Sequence, residues 1–245
     1  PGAQEDALSG ISFRVEKGQT LAIIGATGSG KSTLIGLIPR FYDATGGQVL
    51  LDGQDVRSFT FDALYDRLGY VTQKATLFSG TVESNVFFGR GAAAETDEGL
   101  QKALSLSQAA EFVNAYPEGA QHPIAQLGRN VSGGQKQRLA IARALARGAE
   151  ILIFDDSFSA LDYRTDAQLR AGLSTQMAGV TKIIVAQRIS TIRHADEILV
   201  LDRGEIVGRG THEELLCTCE VYREIAGSQL SERELQEGGA QHEAE

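Results

Sequence analysis

Two adjacent carboxylates follow a strongly apolar run in the second half of the chain. The stretch ILIFDDSFSALD, residues 151–162, ends its apolar part at Phe154 and continues with Asp155 and Asp156. A continuously apolar run of this length predicts a strand that is buried on both faces. The end of such a strand would deliver both carboxylates to one place, where they could ligate a cation or accept a proton.

A glycine-rich loop earlier in the chain predicts a partner for these carboxylates. GATGSGKST follows a strand-like run, precedes the helical LIGLI, and matches G-x-x-x-x-G-K-[ST] in the context which that motif requires. Gly28 and Gly30 allow the backbone N–H groups and the following helix N-terminus to face phosphates. Lys31 is expected to reach the β- and γ-phosphates, and the Ser32 hydroxyl to ligate Mg²⁺. The alternative is a glycine-rich turn with a chance lysine. The predicted nucleotide-binding residues are Gly25, Ala26, Thr27, Gly28, Ser29, Gly30, Lys31, Ser32 and Thr33.

The phosphate loop gives the two aspartates distinct expected roles. Asp155 ends a buried strand, which is the usual position of a carboxylate that holds Mg²⁺, often through water. The alternative for Asp155 is a helix N-cap. Asp156 stands where a general base that orients water is wanted, but it has one methylene fewer than glutamate and reaches about 1.5 Å less far. A catalytic group misplaced by about 1 Å can cost on the order of a hundredfold in rate, so we expect Asp156 to be a poor catalyst.

A second pair of glycines begins a strong helical pattern. VSGGQKQRLAIARALAR, residues 131–147, places Ser132, Gly133 and Gly134 at the start of this helix. Exposed amides at a helix N-terminus attract anions, which makes this a second candidate phosphate contact. Read alone, the same residues could form an ordinary glycine turn with an N-cap serine. Two phosphate-binding elements in one chain indicate ATP that is held between two subunits.

Short strand-like runs alternate with helical patterns and predict an α/β fold. The central runs are continuously apolar, as in parallel strands that are covered on both sides, while QVLLDG and DRGEIVGRG have the punctuation of antiparallel hairpins. The expected strands are 11–15, 20–25, 48–53, 68–73, 151–155, 182–186 and 197–202.

Residues 82–147 have little strand signal and predict a helical insertion. We therefore expect a parallel sheet core that carries the phosphate loop, an antiparallel β subdomain and an inserted α-helical subdomain. The acidic, glycine-containing end of the chain is expected to fray. The expected divisions are 1–81 for the ATP-binding core with the β subdomain, 82–147 for the helical subdomain with the helix that Ser132 begins (called the signature helix below), 148–228 for the remainder of the core, and 229–245 for the tail.

Composition excludes several other classes of protein. The hydrophobic content of 42%, the charged content of 22% and the net charge of −9 are those of a globular protein, and they argue against bulk nucleic-acid binding. No apolar stretch approaches the ~20 residues that cross a bilayer. Cys217 and Cys219 lack the partners of a disulfide framework or a zinc site and indicate reduced thiols in a cytosolic context. Because Pro1 and Gly2 lead almost at once into a strand-like run, we expect the chain to be part of a longer protein.

Taken together, these motifs closely resemble the nucleotide-binding domain of an ATP-binding cassette (ABC) transporter over residues 1–228. The resemblance implies a P-loop NTPase with a RecA-like parallel sheet core. In that resemblance Walker A is 25–33, the Q-loop glutamine is Gln73, Walker B is 151–155 and the D-loop is 159–162. Gln73 is implied to sense the Mg²⁺ site together with Ser32 and Asp155. The signature, with valine in place of the usual leucine, is Val131, Ser132, Gly133, Gly134 and Gln135, which would contact ATP on the partner subunit in trans.

Three departures from the family pattern concern catalysis. The family's catalytic glutamate is Asp156, its switch histidine is Gln187, and a glutamate just before the signature is Gln126. None of the four histidines lies in the switch segment. Glutamine can hydrogen-bond a phosphate but cannot carry the charge of an imidazolium or shuttle protons. The candidate catalytic residues are therefore Asp156, Gln187 and Gln73, the first two of them altered.

This combination resembles the degenerate half of a heterodimeric ABC exporter. The implied cofactors are ATP and Mg²⁺, and the implied partners are the nucleotide-binding domain of a second half-transporter and the coupling helices of a transmembrane domain. The implied location is the cytoplasmic face of the cell membrane. Two alternatives remain open, namely a homodimeric exporter ATPase of low turnover and a soluble ABC ATPase that has no membrane partner.

Overall fold

The computed structural model describes residues 6–89 and 96–229, which form two compact units. One unit contains the described residues up to 65 and from 181 onward, and the other lies within 66–180. The strands are β1 Thr20–Ile24, β2 Leu50–Leu51, β3 Gln54–Asp55, β4 Leu68–Val71, β5 Gly80–Thr81, β6 Pro123–Ile124, β7 Ile151–Asp155, β8 Thr181–Val185, β9 Glu197–Asp202 and β10 Glu205–Gly210. The helices are α1 Lys31–Gly36, α2 Phe61–Asp66, α3 Val82–Val86, α4 Asp97–Leu106, α5 Ala110–Asn114, α6 Gly133–Ala146, α7 Tyr163–Gln176, α8 Ile189–Ile192, α9 His212–Thr218 and α10 Glu220–Gly227.

In the first unit, four strands lie in the order β10-β9-β1-β8. β1 is parallel to both β8 and β9, and β10 returns antiparallel to β9. The apolar runs of β1 and β9 are fully buried: Leu21, Ala22, Ile23 and Ile24 are at most 1% exposed and Ile198–Leu201 are 0% exposed. The expectation of continuously apolar, doubly covered parallel strands is confirmed here.

In the second unit, β4 and β7 pair in parallel, with Val71 opposite Phe154. Helix α6 buries an apolar face that includes Leu139, Ile141 and Leu145. The other helices of residues 82–146 agree with the expected helical segment, apart from the two-residue β6, which pairs with β5. Three of the four longer strand pairs in these two units are parallel, so the predicted α/β class with mostly parallel strands is confirmed.

Two strand predictions need correction. Residues 11–15 form no strand among the described residues, and the run 48–53 contains only the two-residue β2, which pairs with β3. Side chains in 11–15 do alternate between half-buried and exposed, as their sequence suggests. A strand also needs a neighbour that supplies ladder hydrogen bonds, and residue propensity does not report whether one is present.

The predicted divisions at 81/82 and 147/148 stay predictions. The expected frayed tail lies outside the described residues from 230 onward, whereas Gln229 is placed. No helix in the described part of the chain is long and apolar enough to span a membrane.

A buried histidine–tyrosine pair joins the last two helices of the first unit. His212 at the start of α9 is 6% exposed, and its Nδ1 lies 2.7 Å from the hydroxyl of Tyr222 on α10, which is 0% exposed. Burial lowers the pKa of His212 below its ordinary value of 6.5, helped by the charges of Arg193 and His194 and opposed by Glu213. A buried imidazole that stays neutral favours the folded state most when solution pH exceeds the unfolded pKa.

This pair predicts a pH-dependent part of the stability. Because the folded pKa of His212 lies below the unfolded value, the unfolded chain binds more protons in acid, and the stabilisation is lost as pH falls through 6.5 and then the folded pKa. Urea unfolding at about pH 7.5 and about pH 5 should show a smaller loss of unfolding free energy for His212→Gln than for the wild type. Cys217→Ser, at an exposed position on the same helix α9, leaves in place all the charges that act on His212; it serves as the control and should keep the wild-type dependence. Equal losses in all three proteins would contradict a titrating His212.

Candidate functional site

The phosphate loop follows β1 directly and is shaped by glycines. Gly28 and Gly30 have φ angles of 85° and 100°, in the left-handed region that other residues rarely adopt. A Cβ on Gly30 would lie 2.8 Å from Leu8 Cδ2, whereas a Cβ on Gly28 would meet nothing within 4 Å. The loop is therefore packed on the Gly30 side and open at Gly28, where Ala26, Thr27 and Gly28 are exposed.

Lys31 occupies the inside of this loop. Its Nζ donates hydrogen bonds to the carbonyl oxygens of Gly25 at 2.8 Å and Ala26 at 2.7 Å, and lies 3.3 Å from Ser29 Oγ. Lys31 is 9% exposed, while Ser32 next to it is exposed and Thr33 is half-buried. The loop therefore offers three groups that suit a polyphosphate with Mg²⁺: the enclosed ammonium of Lys31, the exposed backbone of residues 26–28 and the exposed Ser32 hydroxyl.

The switch segment begins at the same sheet edge as this loop. Ile23 of β1 lies opposite Val185 of β8, and the amide of Ala186 donates to the Ile23 carbonyl at 3.2 Å. Gly25 lies two positions after Ile23, and Gln187 lies two positions after Val185. Gln187 is exposed, and its carbonyl accepts a hydrogen bond from Gln229 Nε2 at 2.7 Å. The first unit thus brings the predicted phosphate loop and Gln187 to neighbouring strand ends.

The second unit brings Gln73 to Asp156 by the same principle. Val71 lies opposite Phe154, so Gln73 and Asp156 are each two residues beyond a paired position. Gln73 Nε2 donates to Asp156 Oδ2 at 3.1 Å. Asp156 is 7% exposed and has a φ of 47°, a left-handed conformation that aspartate tolerates better than most residues. The carboxylate is therefore enclosed and partly engaged by an amide.

Asp155 has a neighbour that sequence reasoning missed. The Tyr70 hydroxyl donates to Asp155 Oδ2 at 3.4 Å. Burial, then the charge of Asp155, raises the pKa of Tyr70, so the phenol keeps its proton. Tyr70 lies within β4, and nothing in its sequence context marks it as functional. Only the pairing of β4 with β7 shows that its hydroxyl reaches Asp155.

Two further polar residues fix the ends of these strands. Ser157 is fully buried, and its Oγ donates to the Val71 carbonyl at 3.0 Å. Gln137 on α6 is 2% exposed, and its Nε2 lies 3.4 Å from the Thr72 carbonyl. Both bonds act on the backbone just before Gln73, and the sequence has no motif that would have identified them.

The signature residues form the N-terminus of α6 with a reciprocal cap. Ser132 Oγ accepts from the amide of Gln135 at 3.2 Å, and Gln135 Oε1 accepts from the amide of Ser132 at 2.8 Å. Gly133 and Gly134 are the first helical residues, so helix geometry gives their amides no acceptor within the helix. The N-cap alternative for Ser132 and the anion-contact prediction are compatible, because the cap uses Gln135 and leaves the two glycine amides available.

Gln126 opens a short 3₁₀ turn, 126–128, before the signature. It is exposed, and the next residue, Leu127, has a φ of 57° and is 54% exposed. Asn130 ties this turn down, since its Oδ1 accepts from the Ala125 amide at 2.9 Å and its Nδ2 donates to the Pro123 carbonyl at 2.7 Å.

Comparison with known proteins assigns these features to one family. The family model described as ABC transporter matches residues 8–159. The chain belongs to the ABC transporter family, as its nucleotide-binding domain. The residues predicted as the phosphate loop and the switch segment belong to the first unit of this ABC domain. Gln73, the two aspartates and the residues predicted as the signature belong to its second.

Its relatives include exporter proteins. The chain is 49% identical over 230 residues to an ABC transporter ATP-binding protein of Mycobacterium tuberculosis, covering 94% of this chain and 39% of the relative. It is 44% identical over 234 residues to an ATP-dependent lipid A-core flippase of Xanthomonas oryzae, covering 96% and 40%. A solved bacterial Atm1-family ABC exporter with ATP bound matches with a TM-score of 0.89 and 37% identity, covering 95% of this chain and 41% of that one. The ABC domain therefore spans about two fifths of the relatives that it matches.

The loop geometry predicts the effect of removing the enclosed ammonium. Lys31→Met keeps the length of the side chain but removes a charge-assisted donor, which should weaken ATP binding by roughly 10- to 100-fold. Lys102→Met, at an exposed position on α4, is the matched control and should bind as the wild type does. The measurement is the equilibrium binding of labelled ATP to the two variants and to the wild type. Unchanged affinity in Lys31→Met would contradict the phosphate-loop assignment.

Proposed function

We propose that this chain is the ATP-binding part of an ABC exporter, and that it dimerises around ATP to drive export while hydrolysing ATP weakly at its own Walker A. Family membership and the exporter relatives support the transport role. The observation that carries the weak-site proposal is Asp156, a shortened carboxylate that is enclosed and already hydrogen-bonded by Gln73. The site lies, in this proposal, on the cytoplasmic face of the cell membrane.

ATP with Mg²⁺ supplies the γ-phosphoryl group, whose transfer to water releases the free energy for transport. The residues 25–33 would hold the phosphates through backbone amides, with Lys31 moving its hydrogen bonds from loop carbonyls to phosphate oxygens. Ser32, Asp155 and Gln73 have the oxygen ligands that Mg²⁺ prefers. Tyr70 holds one Asp155 oxygen by a hydrogen bond and so orients that carboxylate.

Asp156 is placed to orient water but is poorly equipped to do so. Its carboxylate reaches about 1.5 Å less far than that of glutamate, and a shift of about 1 Å can cost on the order of a hundredfold in rate. The amide of Gln73 already uses one of its oxygens. Gln187 can hydrogen-bond a γ-phosphate but cannot carry the positive charge of an imidazolium. We infer that the site retains ATP and hydrolyses it slowly.

The signature of this chain supports efficient hydrolysis on a partner subunit. Gly133 and Gly134 present amides at the N-terminus of a 14-residue helix, where an anion is favoured. Their contact would be the γ-phosphate of ATP on the Walker A of a second half-transporter. That partner would contribute the intact glutamate and histidine, which gives a heterodimer with one strong and one weak site. The transmembrane domain would couple through the segment that follows Gln73.

A homodimeric exporter of low turnover is the second candidate. The observation that favours it is that Asp156 is still a carboxylate, next to Gln73, with an intact phosphate loop in the same chain. In a homodimer each site would combine Asp156 and Ser132 of opposite copies. The two candidates therefore differ in whether Asp156 matters for turnover.

Substitutions at Ser132 and Asp156 separate these functions in the full-length transporter. Ser132→Arg puts a bulky cation where the glycine amides must approach phosphate, and should lower ATP turnover by more than about 100-fold. Ser132→Asp retains a good N-cap but repels phosphate, so it should be equally inactive although α6 stays capped. Asp156→Asn should lower turnover by less than about threefold, because the residue contributes little.

Ser105→Arg, at an exposed position on α4, controls for the added cation and should be fully active. Loss of activity in both Ser132→Asp and Asp156→Asn would favour the homodimer. Loss in Asp156→Asn with full activity in Ser132→Asp would place hydrolysis on this chain's own Walker B and refute the weak-site proposal.

A further inference from the structure

The switch segment is held at two points by one distant side chain. Gln229 Oε1 accepts a hydrogen bond from the amide of Ile189 at 2.9 Å, and Gln229 Nε2 donates to the carbonyl of Gln187 at 2.7 Å. Both ends of one amide thus bind the backbone on either side of Arg188. The two contacts span 40 and 42 positions of sequence, so they are tertiary and not part of a local turn.

The first contact supplies a cap that the segment lacks. Helix α8 begins at Ile189, and its N-cap position is Arg188. Arginine has only donors, so it cannot accept a hydrogen bond from the first amides of a helix as serine or aspartate would. Ile189 is buried, and an unsatisfied amide there would be costly. The Gln229 oxygen satisfies it from outside the helix.

The second contact holds Gln187, which follows β8 at the same sheet edge where the phosphate loop follows β1. Gln187 follows β8 by two positions, outside any regular element. The residue before it is held by the strand, because the Ala186 amide donates to the Ile23 carbonyl. The Gln229 donor sets the other side by holding the Gln187 carbonyl. The direction in which the Gln187 side chain leaves the backbone is therefore fixed from both sides.

The backbone of Gln229 is anchored by helix α10, although its side chain is exposed. Gln229 follows α10, and its own amide donates to the Ala226 carbonyl at 3.0 Å. Tyr222 and Ala226 of α10 are both 0% exposed, and Tyr222 is hydrogen-bonded to His212 of α9. The backbone from which the Gln229 side chain extends is thus tied to the packed pair of helices α9 and α10.

We infer that Gln229 is a positioning residue for the ATP site, which acts through the backbone of the switch segment 187–189. The link from this backbone to nucleotide rests on the proposed function, in which Gln187 bonds the γ-phosphate. A loosened segment would weaken the binding of ATP, which has that phosphate. It would leave the binding of ADP, which lacks the γ-phosphate, unchanged. The pair of helices α9 and α10 is then a structural part of the nucleotide site.

Hydrogen exchange tests the structural step in the full-length protein. Gln229→Met is nearly isosteric and removes both hydrogen bonds, so exchange at the Ile189 amide should quicken by roughly three- to tenfold. Gln229→Glu keeps an acceptor for that amide and should stay closer to the wild type. Ser228→Ala removes a hydroxyl whose bond goes to the Ile225 carbonyl, at the same helix end, and should leave Ile189 unchanged. Unchanged exchange in Gln229→Met would overturn the inference.

Nucleotide binding tests the functional step with the same proteins. Photolabelling of this chain should show ATP binding weakened by roughly two- to tenfold in Gln229→Met, with ADP binding unchanged. In a Gln187→Ala background the same change should have no further effect on ATP, because Gln229 acts through Gln187. Equal weakening of ATP and ADP would indicate general destabilisation and overturn the positioning role. If Gln187→Ala itself leaves ATP binding unchanged, the role proposed for Gln187 is wrong. Faster exchange at the Ile189 amide in Gln229→Met would then still show that Gln229 holds the backbone of the switch segment.

Discussion

The register of parallel strands is the constraint on which the site depends. Within the first unit, pairing of Ile23 with Val185 makes the phosphate loop and the switch segment begin at the same sheet edge. Within the second, pairing of Val71 with Phe154 brings Gln73 to Asp156. Because these strands are covered on both faces, a shift of one residue would keep the apolar side chains buried but would move each one to the opposite face, among different neighbours. The packing of the side chains on the two faces therefore fixes the register. The packing of the apolar strands thereby positions the polar residues at their ends.

Much of the site could be predicted because its chemistry is local in sequence. The phosphate loop needs glycines, a lysine and a hydroxyl within nine positions, and the signature needs a cap serine and two glycines at a helix start. Tyr70, Ser157, Gln137 and Gln229 were missed because each acts on a residue that only tertiary pairing brings near. The strand predicted at 11–15 was wrong for a related reason, since its apolar alternation does not reveal whether a partner strand is present.

The two altered residues differ in how the fold treats them. Asp156 is enclosed, left-handed and hydrogen-bonded, so its geometry is dictated by Gln73 and by the strand end. Gln187 is exposed, and its backbone is held by Gln229 while its side chain leaves at the edge of the sheet. Buried Ser157 supports the strand ends beside Asp156, and Gln229 supports the backbone of Gln187. The weakness that we propose therefore lies in the chemistry of two side chains and not in a loosened site.

Restoring those two side chains tests this central claim most directly. The proteins to compare are wild type, Asp156→Glu, Gln187→His and the double variant, each assembled from this chain alone so that the opposing signature is its own Val131–Gln135. Unfolding free energies must be matched first, because glutamate tolerates the left-handed φ at position 156 less well than aspartate. The account predicts that ATP turnover of the double variant exceeds the product of the two single gains by more than about threefold, since both groups act on one attacking water. Turnover in the double variant at or below that of the wild type would contradict it.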